Sequence, residues 1–173
     1  MIELRKISGD NIEEVIALDV EENQEDFIAT TNLKSFADAH MLNADGIAAT
    51  PLAIYDDEVA VGFLMYIYDM LDHESFENEV FYGKKCYFIW HIMIDKSYQG
   101  KGYGKLAFEK MLMEIETMPN GEAEYVTLFY RTSNVIARTL YTSFGFVDTE
   151  IIQDNSILAI KNLDEKVTES IVE

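Results

Sequence analysis

Residues 98–105 read Tyr-Gln-Gly-Lys-Gly-Tyr-Gly-Lys. Three glycines at alternate positions allow a tight turn and bring several backbone N–H groups to bear on one anion. An almost continuous apolar run, Tyr87–Ile94, leads into this segment, and a helix from about Gly104 to Met118 leads out of it. The positive end of that helix is added at the same point, and Lys101 and Lys105 bring further positive charge. The chemistry is that of a phosphate cradle. Its spacing differs from the common nucleotide loops: Lys105 precedes Leu106 rather than Ser or Thr, and the glycines alternate instead of following Gly-x-Gly-x-x-Gly.

Other reactive side chains are few. Cys86 is the one cysteine and has no base partner identifiable nearby, so a structural thiol is expected. His40, His73 and His91 are scattered without ligand spacing, and no metal site is expected. His91 stands out because it lies inside the apolar run, with a reference pKa of about 6.5 that suits proton transfer.

The loop resembles the signature of the GCN5-related N-acetyltransferase (GNAT) superfamily: Gln or Arg, two residues, Gly, one residue, then Gly or Ala. Here it is Gln99-Gly100-Lys101-Gly102-Tyr103-Gly104, preceded by a strand ending Ile92-Met93-Ile94-Asp95. A second block follows with Asn134, Ala137, Leu140-Tyr141 and Gly145-Phe146, in the family's order and separation. The resemblance implies an acetyl-CoA-dependent N-acetyltransferase in which the amine attacks the thioester directly. It implies that the pyrophosphate rests on N–H groups of residues 100–105, that the pantetheine arm pairs with backbone near Ile92 and Ile94, and that Asn134 and Arg138 approach the cofactor. Gln99, Gly100, Lys101, Gly102, Gly104 and Lys105 are accordingly expected to bind cofactor. Tyr141 matches the family tyrosine that acts as general acid toward the departing thiolate.

The base is less defined. Many relatives use a carboxylate on or near the strand before the loop, and Tyr87–Ile94 contains none. His91 takes that place as base or member of a water relay, with Glu21, Glu22 and Glu25 as competitors. Residues 19–29, Asp-Val-Glu-Glu-Asn-Gln-Glu-Asp-Phe-Ile-Ala, are similar to the corresponding segment of bacterial spermine/spermidine acetyltransferases. A polyamine carries spaced positive charges on an apolar chain and calls for spaced carboxylates with aromatic surface between them. Glu21, Glu22, Glu25 and Asp26 with Phe27 fit that on one side. Asp69, Asp72, Glu74, Glu77 and Glu79, interleaved with Phe76, Phe81 and Tyr82, fit it on another. Three alternatives stay open: a protein N-terminus or an aminoglycoside as acceptor, a non-catalytic acetyl-CoA sensor, and an acidic interaction module keeping only the fold.

These residues need a scaffold. Ile2–Ile7 alternates as a half-buried strand, and Asp10 with Glu13 suggests a capping box opening a helix through about Val20. One or two helices follow over 23–43, with Phe27, Ile28, Leu33, Phe36 and Ala37 as inner positions. Leu52–Tyr55 and Val59–Tyr68 form a hairpin about Asp56-Asp57-Glu58, and residues 69–86 form a polar loop. Tyr87–Ile94 reads as a strand buried on both faces. Val126–Tyr130 is a strand, and Asn134–Phe144 a helix stopped by Gly145. Residues 146–153 and 156–161 form a closing hairpin. The result is a mixed α/β (α+β) domain over 1–163, whose twisted sheet the resemblance implies is splayed at the cofactor site, with a polar tail at 164–173.

The chain has 173 residues, 49% of them hydrophobic, enough for one domain with an ordinary core. The net charge of −19 argues against nucleic acid or an anionic membrane as partner. Residues 1–80 hold three basic and nineteen acidic side chains, whereas residues 81–173 hold ten and thirteen. The first half thus attracts cations, and the second has local basic clusters for an anion. Apolar runs are too short to span a bilayer, no signal-type leader is apparent, and a cytoplasmic setting fits the single cysteine. The apolar closing strands leave a homodimer open.

Overall fold

The computed structural model describes residues 1–28 and 30–163, so the expected tail at 164–173 lies outside the described residues. Seven strands form one sheet in the order β1-β2-β3-β4-β5-β7-β6. They are β1 (Ile2–Lys6), β2 (Ala48–Asp56), β3 (Val59–Met70), β4 (Lys85–Ile94), β5 (Tyr125–Arg131), β6 (Val147–Gln153) and β7 (Ser156–Asn162). Pairing is antiparallel except between β4 and β5. The mixed α/β class expected from the sequence is the one observed. The β2–β3 hairpin turns where Asp57 takes a positive φ of 53°, a conformation Asp tolerates better than most residues.

Helices α3 (Tyr103–Glu116) and α4 (Val135–Ser143) cover one face of the sheet. Helix α3 buries Ala107, Phe108, Met111, Leu112 and Ile115, a stripe at helical spacing, against Leu64, Tyr66, Tyr87 and Val126. Each such large side chain contributes about 1.5–3 kcal/mol on leaving water. The opposite face is covered by α1 (Ile12–Ile16) and α2 (Asn32–Ala44), which enclose Phe63, Met65, Ile67 and Met93.

Three local expectations give way to packing. Helix α1 is short, and Asp10 does not cap it; Asn11 instead ties Ser8 N–H and the Lys6 carbonyl with its side-chain amide (2.8 and 3.1 Å). The capping box occurs one element later, between Glu21 and Gln24, where Glu22–Phe27 forms a 3-10 turn. On α2, Leu33 and Ala37 face solvent while Asn32, Ser35 and Ala39 are buried. An apolar-periodicity argument misses this face because Asn32 and Ser35 find polar partners inside. The loop after β3, expected to be polar throughout, folds Leu71, Phe76 and Phe81 against Cys86 and Leu158. Phe76 and Phe81 are therefore core residues rather than part of an amine-binding face.

Candidate active site

Strand β4 changes face in its middle. Met65 lies opposite His91 and Tyr66 opposite Ile89, so Trp90 is an extra residue, a β-bulge. Before it, Tyr87 and Ile89 point to the α3/α4 side, and after it Ile92 and Ile94 do so. Trp90, His91 and Met93 lie on the α1/α2 side. The parallel pairing with β5 runs from Cys86↔Tyr125 to Ile89↔Leu128 and stops there. Beyond that point the two strands diverge. Asp95 N–H bonds the Val61 carbonyl at 2.9 Å. Antiparallel alternation then turns the N–H and C=O groups of Ile92 and Ile94 away from β3 into the opening. Even-numbered β4 residues are only half-buried there, which corrects the expectation of a strand buried on both faces: one neighbouring strand is missing.

A cleft of about 600 Å³ passes through this opening. Ile89, Ile92, Leu128 and Tyr141 line it from the α3/α4 side. Phe88, Trp90, His91 and Phe129 line it from the other, beneath Asp26, Phe27 and Ile28 from the end of the 3-10 turn. Lys34 and Asp38 of α2 and Asp154 of the β6–β7 turn complete the rim.

At the end of β4 the glycine loop turns tightly into α3. Gly100 and Gly102 have φ of 76° and 80°, the left-handed region where glycine is at home, and Gly102 is the cap of α3. The N–H groups of Tyr103, Gly104 and Lys105 open the helix and have no intrahelical acceptor. A Cβ on Gly104 would meet only Ile94 Cγ1, at an ordinary 3.6 Å, so protein packing does not require glycine there. The Lys101 ammonium stands over the Tyr98 and Tyr103 rings (5.2 and 5.9 Å). Gln99 has a positional task. Its amide donates to the Ile94 carbonyl (2.9 Å) and exchanges two hydrogen bonds with the amide of Gln24 (2.8 and 3.0 Å), tying the loop to the 3-10 turn. The Ile94 carbonyl is thus already engaged, whereas the backbone of Ile92 faces the opening.

Helix α4 starts where Asn134 Oδ1 accepts from Ala137 N–H (3.0 Å), which orients the helix beside the cleft. It delivers Tyr141, 9% exposed and packed on Phe108 and Tyr130 (ring centroids 5.2 and 5.5 Å). Burial pushes its phenol up to about 12, so it stays protonated at neutral pH. Among the described residues its hydroxyl has no hydrogen-bond partner. Arg138, expected to approach the cofactor, is paired with Asp148 (3.1 Å), which also accepts from Tyr130 O–H (2.7 Å).

His91 reaches the cleft from the α2 side and is 5% exposed. Its Nδ1 lies 2.7 Å from Ser35 Oγ, its ring meets Phe63 edge-on (5.1 Å), and Nε2 has no partner among the described residues. Burial pushes the imidazole down to about 4, leaving it neutral at pH 7. This undercuts a base role, since so weak a base gains little from an ammonium of pKa about 10.

The acidic residues sort differently from expectation. Glu21 and Glu22 border a separate, shallow hollow with Asn23, and Glu25 points to solvent. Three residues per turn place Glu22 and Glu25 on one outward face, while the end of the turn brings Asp26 and Phe27 to the cleft. The residues 69–79 acids are likewise absent from the cleft lining. Gln24, Ser35, Asp38, Arg131 and Asp154 were not foreseen; apart from Asp38, which pairs with Lys34 on its own helix, each reaches the site through a partner far away in sequence. Arg131 donates to the carbonyls of Asp26 (3.0 Å) and Asp154, joining the two walls.

A glycine turn at a strand-to-helix junction with free helix N–H groups, a parallel pair opened beside it and a protonated tyrosine in the gap together suit an acyl-CoA-dependent acyltransferase. A model of the Acetyltransferase (GNAT) family matches residues 12–146, and the chain belongs to that family. It is an acetyl-CoA-dependent N-acetyltransferase, with acetyl-CoA as cosubstrate. Curated relatives include the spermine/spermidine N(1)-acetyltransferase of Bacillus subtilis (strain 168), 26% identical over 148 residues, or 84% of this chain and 87% of the relative. Among solved structures, spermidine N-acetyltransferase from Vibrio cholerae in complex with CoA and spermine has a TM-score of 0.66 at 16% identity, covering 94% and 95% of the two chains. Arabidopsis thaliana NAA60 in complex with acetyl-CoA has 0.65 at 14%, covering 94% and 98%. Among the described residues no helix is long and apolar enough to cross a membrane, and no cluster of His, Cys, Asp and Glu is suited to hold a metal ion.

Proposed function

We propose that this enzyme acetylates a primary amine of a polyamine. The observation that carries the proposal is the cleft wall, where Asp26 and Asp154 stand beside Phe27, Phe88, Trp90 and Phe129. Neither carboxylate is ion-paired among the described residues, whereas Asp38 is paired with Lys34. Unpaired carboxylates next to aromatic faces suit a chain that alternates ammonium groups with methylenes. The spermine/spermidine acetyltransferase relative supports the same substrate class.

Bound acetyl-CoA supplies an acetyl group already activated as a thioester. The first N–H groups of α3, with Gly100 and Gly102 shaping the turn, hold its pyrophosphate. The open edge at Ile92 receives the pantetheine amide, and Asn134 fixes α4 beside it. Asp26 and Asp154 draw in the ammonium chain and align one terminal nitrogen. That nitrogen loses its proton to water along the carboxylate-lined wall; neutral His91 does not take it. As the N–C bond forms and the C–S bond breaks, the surplus amine proton follows the same route and Tyr141 O–H protonates the sulfur. Solvent then restores the phenol.

Thiol release from acetyl-CoA should be followed with spermidine, spermine, an N-terminal peptide and an aminoglycoside. Polyamine turnover is expected, with kcat reduced by about 10²–10⁴ in Tyr141→Phe. Turnover of the peptide or aminoglycoside without the polyamines would reject the substrate class. Cofactor binding without thiol release for any amine would identify a sensor instead.

A further inference from the structure

Ser35 and His91 form a buried pair whose hydrogen-bond accounting has one favourable solution. Ser35, on the inner face of α2, is fully buried, and Nδ1 of His91 is its one side-chain partner among the described residues, at 2.7 Å. Two arrangements are available. If Nδ1 carries the hydrogen and donates to Ser35, the serine O–H is left as a buried donor without acceptor and Nε2 as a buried acceptor without donor. If Ser35 O–H donates to Nδ1, the serine donor is satisfied and a single group remains unpaired, Nε2–H. An unmade buried hydrogen bond costs about 1–3 kcal/mol, so the arrangement with one orphan wins over that with two. The remaining orphan is closed to solvent in this structure but belongs to a residue lining the cleft, the side from which a bonding partner would come.

We infer that Ser35 locks His91 in the Nε2–H tautomer and that this N–H is a hydrogen-bond donor to the carbonyl oxygen of the acetyl group being transferred. Ser35 is thus a positioning residue and His91 an electrophilic one. The inference rests on the acetyl-transfer reading but not on the polyamine. A donor preset in a water-poor site strengthens as charge gathers on the oxygen, and needs no reorganisation during the reaction. The amine nitrogen is the wrong acceptor, because its lone pair is the one that must attack. An ammonium offers no lone pair at all. The bulge at Trp90 makes the arrangement possible: were Trp90 an ordinary member of the ladder, strand alternation from Ile89 would turn His91 toward α3. The depressed basicity of the buried ring agrees with a neutral donor.

Imidazole nitrogen–proton correlation NMR on the wild-type protein reads the tautomer directly, without turnover. Protonated Nε2 and bare Nδ1 are expected. Ser35→Ala is expected to mix the tautomers and lower kcat several-fold at unchanged KM for acetyl-CoA. In thiol-release assays with whichever amine is turned over, His91→Ala should lose about 10²–10³ in kcat, as for removal of a single such donor. His91→Gln, whose Nε2 is a donor that cannot act as a base, should recover most of that loss. A bare Nε2, or a Gln variant as slow as the Ala variant, overturns the inference. Protonated Nε2 in a protein that acetylates no amine would leave the tautomer standing and overturn the acetyl-transfer reading instead, so the two failures are distinguishable.

Discussion

His91 is a histidine that its surroundings keep uncharged, and this has a thermodynamic signature. Burial lowers its folded-state pKa from 6.5 to about 4. Between those values the unfolded chain binds more protons than the folded one. Stability is therefore complete above pH 6.5 and is lost as the pH falls through 4, with a total loss of about 3 kcal/mol. Urea unfolding of wild type and His91→Gln at pH 7 and pH 4 isolates this difference: the variant should lose about 3 kcal/mol less. Parallel losses would show that the folded protein takes up the proton without penalty. Tyr141 is shifted the other way, up to about 12, which keeps its proton available at any ordinary working pH. Both side chains were visible in the sequence as types in a pattern. Their ionisation followed only from what packs around them.

At the scale of elements, the 3-10 turn Glu22–Phe27 is held at both ends. Gln24 is paired with Gln99 of the cofactor loop, and the Asp26 carbonyl is bonded to Arg131 of β5. The turn carries Asp26 and Phe27 into the cleft, so the cofactor loop and the amine wall share a mechanical link. Gln24→Ala removes the amide pair without touching either ligand. Loss of net hydrogen bonding worth about 0.5–1.5 kcal/mol should raise the amine KM roughly 2–10-fold while the KM for acetyl-CoA changes less. Steady-state kinetics with both substrates varied will decide; a rise confined to acetyl-CoA would show that the turn does not position the amine wall. Helix α3, the β2–β3 hairpin and Gly145 at the end of α4 were legible in sequence because each is set by neighbours along the chain. The bulge at Trp90 was not, since it exists only in the register of β4 against β3.

Across the whole molecule, charge is divided between two tasks. Residues 1–80, with their excess of acids, supply Asp26 and Asp38 to the cleft, and residues 81–173 supply the anion cradle at the other end of the opening. A net charge of −19 raises the local concentration of a polycation. Raising ionic strength from 0.01 to 0.15 M shortens the screening length from about 30 to about 8 Å. The KM for spermine should then rise several-fold, more than for a monoamine, with kcat little changed. An unaltered KM would show that the acidic surface plays no part in capture.

The sequence by itself determined the strand–loop–helix turn at 99–104 and the mixed α/β layout, because local spacing and turn chemistry specify them, whereas Tyr141 was singled out by the resemblance of its block to a family. It offered Glu21, Glu22, Glu25, Asp26 and the acids of 69–79 to an amine; of these Asp26 lines the cleft, together with Asp38 and Asp154. Only the tertiary structure could make that choice. Which face of a short turn looks inward, which strand bulges and which buried serine meets a histidine depend on pairings between residues dozens of positions apart. Those pairings are fixed by the collective burial of the core, a quantity no single window of sequence contains.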